Sequence, residues 1–275
     1  MKIKLYILWL FLLIANIYSQ KMIEIERGKI EILKFDYDPE LNDSRLIGLK
    51  ISLEEGWHLY WTNPGDAGIP TNISFEAKEK IKIKNIYFPV PKHFVSEGMI
   101  SFGFEGSFLI MLELEAVEKK IKAIGKIKID GLVCKDICQP FEAVIEDTIN
   151  FVEKYQTGED LRAEYLNFFS NRQKKINKIF EYKINEDKII FDAEIKEIKD
   201  YDIKTIYYYP FENGIISNPA KYNFEFKDGK INFAAKLNPY LTKEIDIISG
   251  ILKIEFNKNN DISIKSYELN FSKSK

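Results

Sequence analysis

An all-β chain of two β-sandwich units joined by a short helical linker is the fold class this sequence predicts. Three observations carry that prediction. The 275 residues include 20 Phe and 15 Tyr and are rich in Ile, and β-branched and aromatic residues fit a pleated, half-buried surface. Short apolar runs alternate with turn chemistry along most of the chain, the pattern of strands joined by tight connections. The exception is one stretch at helical spacing near the middle.

The first element is an export signal over residues 1–19. Lys2 and Lys4 form a positive start, Leu5 through Ala15 an apolar run, and Ser19-Gln20 a cleavage point. The run is short of the ~20 residues of a membrane span, so no stable span is expected once the signal is cleaved. Cleavage takes two lysines and no acid from the 40 basic and 42 acidic residues. The remaining mixed-sign, mildly acidic surface has no basic block, which argues against nucleic acid as a partner.

Residues 20–152 form the first unit. Ile30-Glu31-Ile32 and Leu49 to Leu53 alternate with period two. Ile83 to Phe88, Phe108 to Leu114, Ile121 to Val133 and Phe141 to Phe151 are further strands. Asn63-Pro64-Gly65-Asp66-Ala67-Gly68 and Phe88-Pro89-Val90-Pro91 read as loops. In the first of them Asp66 suits a local turn bond better than acid–base work.

Residues 153–178 are the linker. Leu161, Tyr165, Leu166, Phe168 and Phe169 recur at helical spacing, which predicts a helix covering the rim of one sheet. Residues 179–275 form the second unit. There Lys227-Asp228-Gly229-Lys230 separates two alternating segments, and Asp-Gly supplies the positive φ of a two-residue hairpin turn.

The chain's two cysteines, Cys134 and Cys138, have three residues between them. On one continuous strand they would be ~13 Å apart, too far to bond. A three-residue hairpin loop, Lys135-Asp136-Ile137, sets them opposite each other, within disulfide reach. Lys135 favours a thiolate and Asp136 opposes it. A bridge closing so small a loop removes little chain entropy, so two readings stand together: a fixed pin on a hairpin, and a pair that opens and closes.

Elsewhere the catalytic motifs are missing: no Gly-x-Ser-x-Gly, no phosphate-binding glycine loop and no His-Glu-x-x-His occurs. His58 and His93, the chain's two histidines, could join the cysteines around a soft metal ion. The spacing is a weak metal signal, and no metal site is assigned.

Four blocks in order complete the picture. They are Gly56-Trp57-His58-Leu59-Tyr60-Trp61-Thr62-Asn63-Pro64-Gly65-Asp66-Ala67-Gly68-Ile69-Pro70, then Phe88-Pro89-Val90-Pro91, Gly103-Phe104-Glu105-Gly106 and Val133 to Pro140. Over residues of about 28 to 150 the chain resembles the N-terminal periplasmic domain of the thiol:disulfide interchange protein DsbD, in its Cys-x-x-x-Cys branch associated with suppression of copper sensitivity. The resemblance implies an immunoglobulin-like sandwich, with a further sandwich after it. It implies a periplasmic protein that passes reducing equivalents through Cys134 and Cys138 by thiol–disulfide exchange, without a cofactor, with Cys138 the attacking sulfur. Its implied partners are a membrane-embedded or thioredoxin-like electron donor and a disulfide-containing acceptor protein. No multi-helix or thioredoxin-like part of full-length DsbD is read in these 275 residues, so a separate protein is expected to supply electrons.

In that family a loop caps the pair. Phe102, Phe104 and Glu105 are the residues expected to form it, with Glu105 as a proton relay. Trp57, Tyr60 and Trp61 are either a docking surface or core. The rival function, from another class, is a non-catalytic binding module with a structural disulfide that escorts a protein or a copper ion.

Overall fold

The computed structural model describes residues 21–35, 44–118, 121–152, 158–259 and 261–274; the expected export signal lies outside them. In chain order the first unit holds β1 (Met22–Ile25), β2 (Gly28–Lys34), β3 (Ser44–Leu53), β4 (His58–Gly65), β5 (Asn72–Ala77), β6 (Ile81–Tyr87), β7 (Lys92–Ser96), β8 (Met99–Glu105), β9 (Ser107–Ala116), β10 (Lys122–Cys134) and β11 (Cys138–Asn150). They make two sheets, ordered β1-β2-β3-β9-β6 and β11-β10-β4-β8-β7. β10 is longer than β4 and β5, so one of its edges serves both. Gly125–Asp130 pairs with β5, and Val133–Cys134 pairs with β4.

Alternation puts every second residue of these strands inside. Ile47, Leu49 and Ile51 of β3 meet Ile127, Ile129 and Val133 of β10 in one core, each at most 1% exposed. Truncating one such residue to Ala would cost about 2–5 kcal/mol. The Asn63-Pro64-Gly65 segment, expected as loop, continues β4 with its register broken between Tyr60 and Gly65.

The first sheet also has an apolar outer face, formed by Leu33, Phe35, Leu46 and Met111. Helix α1 (Glu159–Asn171) covers it with Leu161, Tyr165, Phe168 and Phe169. The helix thus lies on a sheet face and not on the rim. A rim contact would have left Leu33 and Met111 in water, whereas both are at most 1% exposed.

The second unit begins at β12 (Lys174–Asn185), five residues before the expected Ile179. It continues with β13 (Lys188–Glu194), a 3-10 turn at Lys196–Ile198, β14 (Asp202–Pro210), β15 (Ile216–Ser217), β16 (Phe224–Lys227), β17 (Lys230–Leu237), β18 (Ile247–Lys258) and β19 (Asp261–Lys273). These strands form one sheet, β14-β18-β19-β12-β13-β17-β15, with β16 on β17. In a flat sheet β13 and β14, four spacings apart, would be about 19 Å from each other. Phe191 of β13 and Tyr208 of β14 instead have ring centroids 5.1 Å apart, so the sheet folds over its own core. The expected hairpin is β16–β17. Lys227 pairs with Lys230, and Asp228 and Gly229 both have positive φ.

The Asn63–Asp66 segment is the seam between the units. Buried Asn63 donates to the Pro210 carbonyl at 2.7 Å. Asp66 accepts from the Ile100 amide and from Asn218. Its bonds therefore reach across the structure and do not close a local turn. Trp61, Ile100, Phe102 and Phe104 pack with Tyr209 and Ile251 of the second unit. Among the described residues no helix is long and apolar enough to cross a membrane.

Candidate functional site: an asymmetric disulfide at a hairpin tip

β10 and β11 pair in unbroken register from Lys122 and Asn150 to Cys134 and Cys138. Lys135-Asp136-Ile137 forms the turn, closed by the Lys135 amide donating to the Ile137 carbonyl at 3.1 Å. The two cysteines are disulfide-bonded, with Cα atoms 4.1 Å apart. This is the hairpin geometry expected from their spacing.

The two sulfur-bearing residues differ in access. Cys138 is exposed, as are the three turn residues, whereas Cys134 is 2% exposed. Alternation does not account for that. Val133 faces the core, so its neighbour Cys134 belongs to the outer face. Cys134 is shut in because aromatic side chains gather over that face.

The strand register assembles them. Cys134 pairs with His58 across β10 and β4, and His58 pairs with Glu105 across β4 and β8. Tyr60, two residues along β4, points the same way; its hydroxyl is 3.8 Å from Cys138 Sγ. The His58 ring meets Tyr60 edge-on at 5.2 Å and stacks on Phe94 of β7 at 4.4 Å. Gly68 lets Tyr60 sit there: it has φ +107°, and a Cβ would lie 2.5 Å from the Tyr60 ring.

Electrostatics follow from this packing. Burial lowers the His58 imidazole below its ordinary value, against the opposing pull of the Glu105 carboxylate. His58 Nε2 is buried and has no hydrogen-bond partner. Burial also raises the Tyr60 phenol, keeping it a donor at neutral pH. Glu105 is tied to Lys92 at 2.9 Å, and Lys135 donates to the Glu55 carbonyl at 3.3 Å.

Several expected site residues stand elsewhere. Ser101 to Glu105 belongs to strand β8 and not to a cap loop. Phe102 is fully buried against His93 and Tyr209, and Phe104, 4% exposed, stacks between Phe88 and Phe108. Neither ring has free surface to shield the sulfurs; of the three, Glu105 alone joins the site row. Trp57, Tyr60 and Trp61 are 9%, 5% and 2% exposed, so they do not form a docking surface. Trp57 belongs to the sandwich core and Trp61 to the seam.

The two histidines are not brought together. His93 is held at the seam by Phe102, Tyr207 and Tyr209, with Nδ1 3.2 Å from the Tyr209 hydroxyl. Burial and then the Lys253 charge push its imidazole down to about 4. Sequence reasoning missed Phe94 and weighed His58 as a metal ligand against a satisfied or surface histidine. The signal for both is cross-strand pairing, which needs the register.

The fold and the site define an all-β, immunoglobulin-like protein with a half-shielded disulfide closing a three-residue turn. Residues 31–150 match the family model of the thiol:disulfide interchange protein DsbD, N-terminal, and over this part the chain is similar to that family. The structure is similar to the crystal structure of the N-terminal periplasmic domain of ScsB from Proteus mirabilis, with TM-score 0.62 and 12% identity, covering 93% of this chain and 100% of that one. A conserved domain protein from Bacillus anthracis aligns at 11% identity over 92% of this chain and 88% of its own; its TM-score, 0.24, is too low to bear on fold. No curated protein matches the sequence.

Proposed function

We propose that this protein is exported to the periplasm and passes reducing equivalents from Cys134 and Cys138 to disulfide-bearing partner proteins. The observation that carries this reading is the asymmetry of the pair, one sulfur exposed at a hairpin tip and the other 2% exposed beneath aromatic rings. Exchange needs one accessible thiolate to attack and a second thiol held in reach to resolve the mixed disulfide. Cys138 fits the first role and Cys134 the second.

In the cycle, Cys138 thiolate attacks a partner's disulfide and releases one partner thiolate. Cys134 then attacks Cys138 Sγ, releasing the second partner thiolate and restoring the Cys134–Cys138 bond. Two electrons pass to the partner. A membrane-embedded or thioredoxin-like donor returns them. The DsbD-type match over residues 31–150 supports the chemistry, and the charged start and apolar run of residues 1–19 support export.

The test is a trap. Reduced Cys134→Ser should accumulate a stable mixed disulfide with an oxidised thioredoxin-like protein, and reduced Cys138→Ser should not. Failure of both to form one, or the opposite pattern, overturns the assignment.

A further inference from the structure

We propose that His58 takes the proton from Cys134 when that thiol resolves the mixed disulfide, and that Glu105 holds the imidazolium that forms. The proposal rests on the exchange reading above and adds to it the group that moves the proton.

The geometry begins with one row across four strands: Cys138 to Cys134, Cys134 to His58, His58 to Glu105. Directly opposed residues project from the same face with Cβ atoms about 4.5–5.5 Å apart. Cys134 and His58 are therefore immediate neighbours on the face where the disulfide lies. Cys134 is 2% exposed, so bulk water has little access to its proton, and an acceptor inside the site is required before it can attack.

His58 supplies one. Its Nε2 is buried without a hydrogen-bond partner, a condition that calls for explanation in a native site. A nitrogen kept free to receive a proton is such an explanation. Phe94 against its face and Tyr60 at its edge fix the ring. Burial outweighs the Glu105 field and leaves the imidazole below its ordinary value, hence neutral at pH 7 with a ring nitrogen open to a proton. The groups facing it are Cys134 from β10, Glu105 from β8, Tyr60 on its own strand and Phe94 from β7. Lys92, also from β7, reaches the row through its ion pair with Glu105.

The step balances. The Cys134 S–H proton moves to His58, the Cys134 sulfur bonds to Cys138 Sγ, and the bond between Cys138 and the partner breaks. The partner leaves as a thiolate with the electron pair of that bond. The imidazolium then returns its proton to that thiolate or to water.

The fully reduced mature protein is mixed with 5,5′-dithiobis(2-nitrobenzoate) and the coloured thiolate followed by stopped flow. Capture at Cys138 releases the first equivalent, and resolution by Cys134 releases the second. The second-phase rate of the unaltered protein should rise with pH through an inflection below the ordinary imidazole value of 6.5. His58→Gln should slow that phase about 10²-fold, the scale of general base catalysis, and abolish the inflection. The first-phase amplitude counts reactive thiol, and a cooperative thermal transition by circular dichroism shows that each variant is folded. Glu105→Gln should keep the inflection but move it to lower pH, because the carboxylate that raises His58 is gone.

A His58→Gln second phase with the unaltered rate and pH profile overturns the proposal and leaves the exchange reading standing. Should His58→Gln fail to fold, an unmoved inflection in Glu105→Gln overturns it instead. Absence of any second phase in the unaltered protein sinks the exchange reading itself.

Discussion

Reducing the disulfide should leave this protein folded, and the expected cost can be worked from the loop it closes. The bonded residues are four apart in sequence. Chain-entropy arithmetic for a closed loop of about five residues gives a stabilisation of about 2 kcal/mol, against about 4.7 kcal/mol for a 100-residue loop. That figure is a ceiling, because the register from Lys122 and Asn150 to the cysteines holds the two ends together without the bond. For a protein of this size about 2 kcal/mol corresponds to a fall in Tm of about 4–8 °C. Domains of this kind have about 5–15 kcal/mol to lose, so the reduced form stays native. The assay is thermal unfolding by circular dichroism, oxidised against fully reduced with a phosphine, at pH 7. Loss of the cooperative transition, or a fall beyond about 15 °C, would refute the reasoning and make the bond a staple.

Three further perturbations probe other parts of the account. Tyr60→Phe removes the hydroxyl 3.8 Å from Cys138 Sγ. A hydrogen bond to a charged group contributes about 1.5–3 kcal/mol, so in the reduced protein the loss should slow alkylation of Cys138 at pH 7 by about tenfold; an unchanged rate contradicts the contact. Asn63→Ala should cost about 1–3 kcal/mol in denaturant unfolding, since it strips a buried Pro210 carbonyl of this donor; a change within about 0.5 kcal/mol, the scale of a surface substitution, would mean the seam is not held there. Burial alone would raise the Glu113 carboxyl, but bonds from Lys84, Tyr87, Asn85 and Ser44 outweigh it and hold the group at about 2. A depressed folded value stabilises above the ordinary 4.5 and loses that contribution as pH falls toward 2. Tm against pH should therefore drop across that window, and Glu113→Gln should lower Tm at pH 7 and flatten the drop; an unchanged acid limb refutes the assignment.

The cysteine hairpin was legible because strand geometry leaves few ways to join residues four apart. The β16–β17 turn was legible for a similar reason, since Asp228-Gly229 encodes its own backbone. Phe102 and Phe104 were misplaced because alternation gives two faces but does not say what covers them. Tyr209, which buries Phe102, is 107 positions away in the second unit. α1 was read as a helix from its own spacing, while its seat on Leu33, Phe35 and Met111 depends on the outer face of a distant sheet. His58 looked like a ligand or a surface residue until the register set it between Cys134 and Glu105. Local chemistry was readable from the chain; lateral neighbours across strands were not.

The central claim is that the Cys134–Cys138 bond cycles, and its reduction potential tests that most directly. The mature protein is equilibrated in glutathione buffers of graded ratio and the free thiols are trapped and counted. A potential above about −270 mV, in the range of proteins that exchange disulfides, is the result the account predicts. One below about −300 mV, typical of structural disulfides, would contradict it.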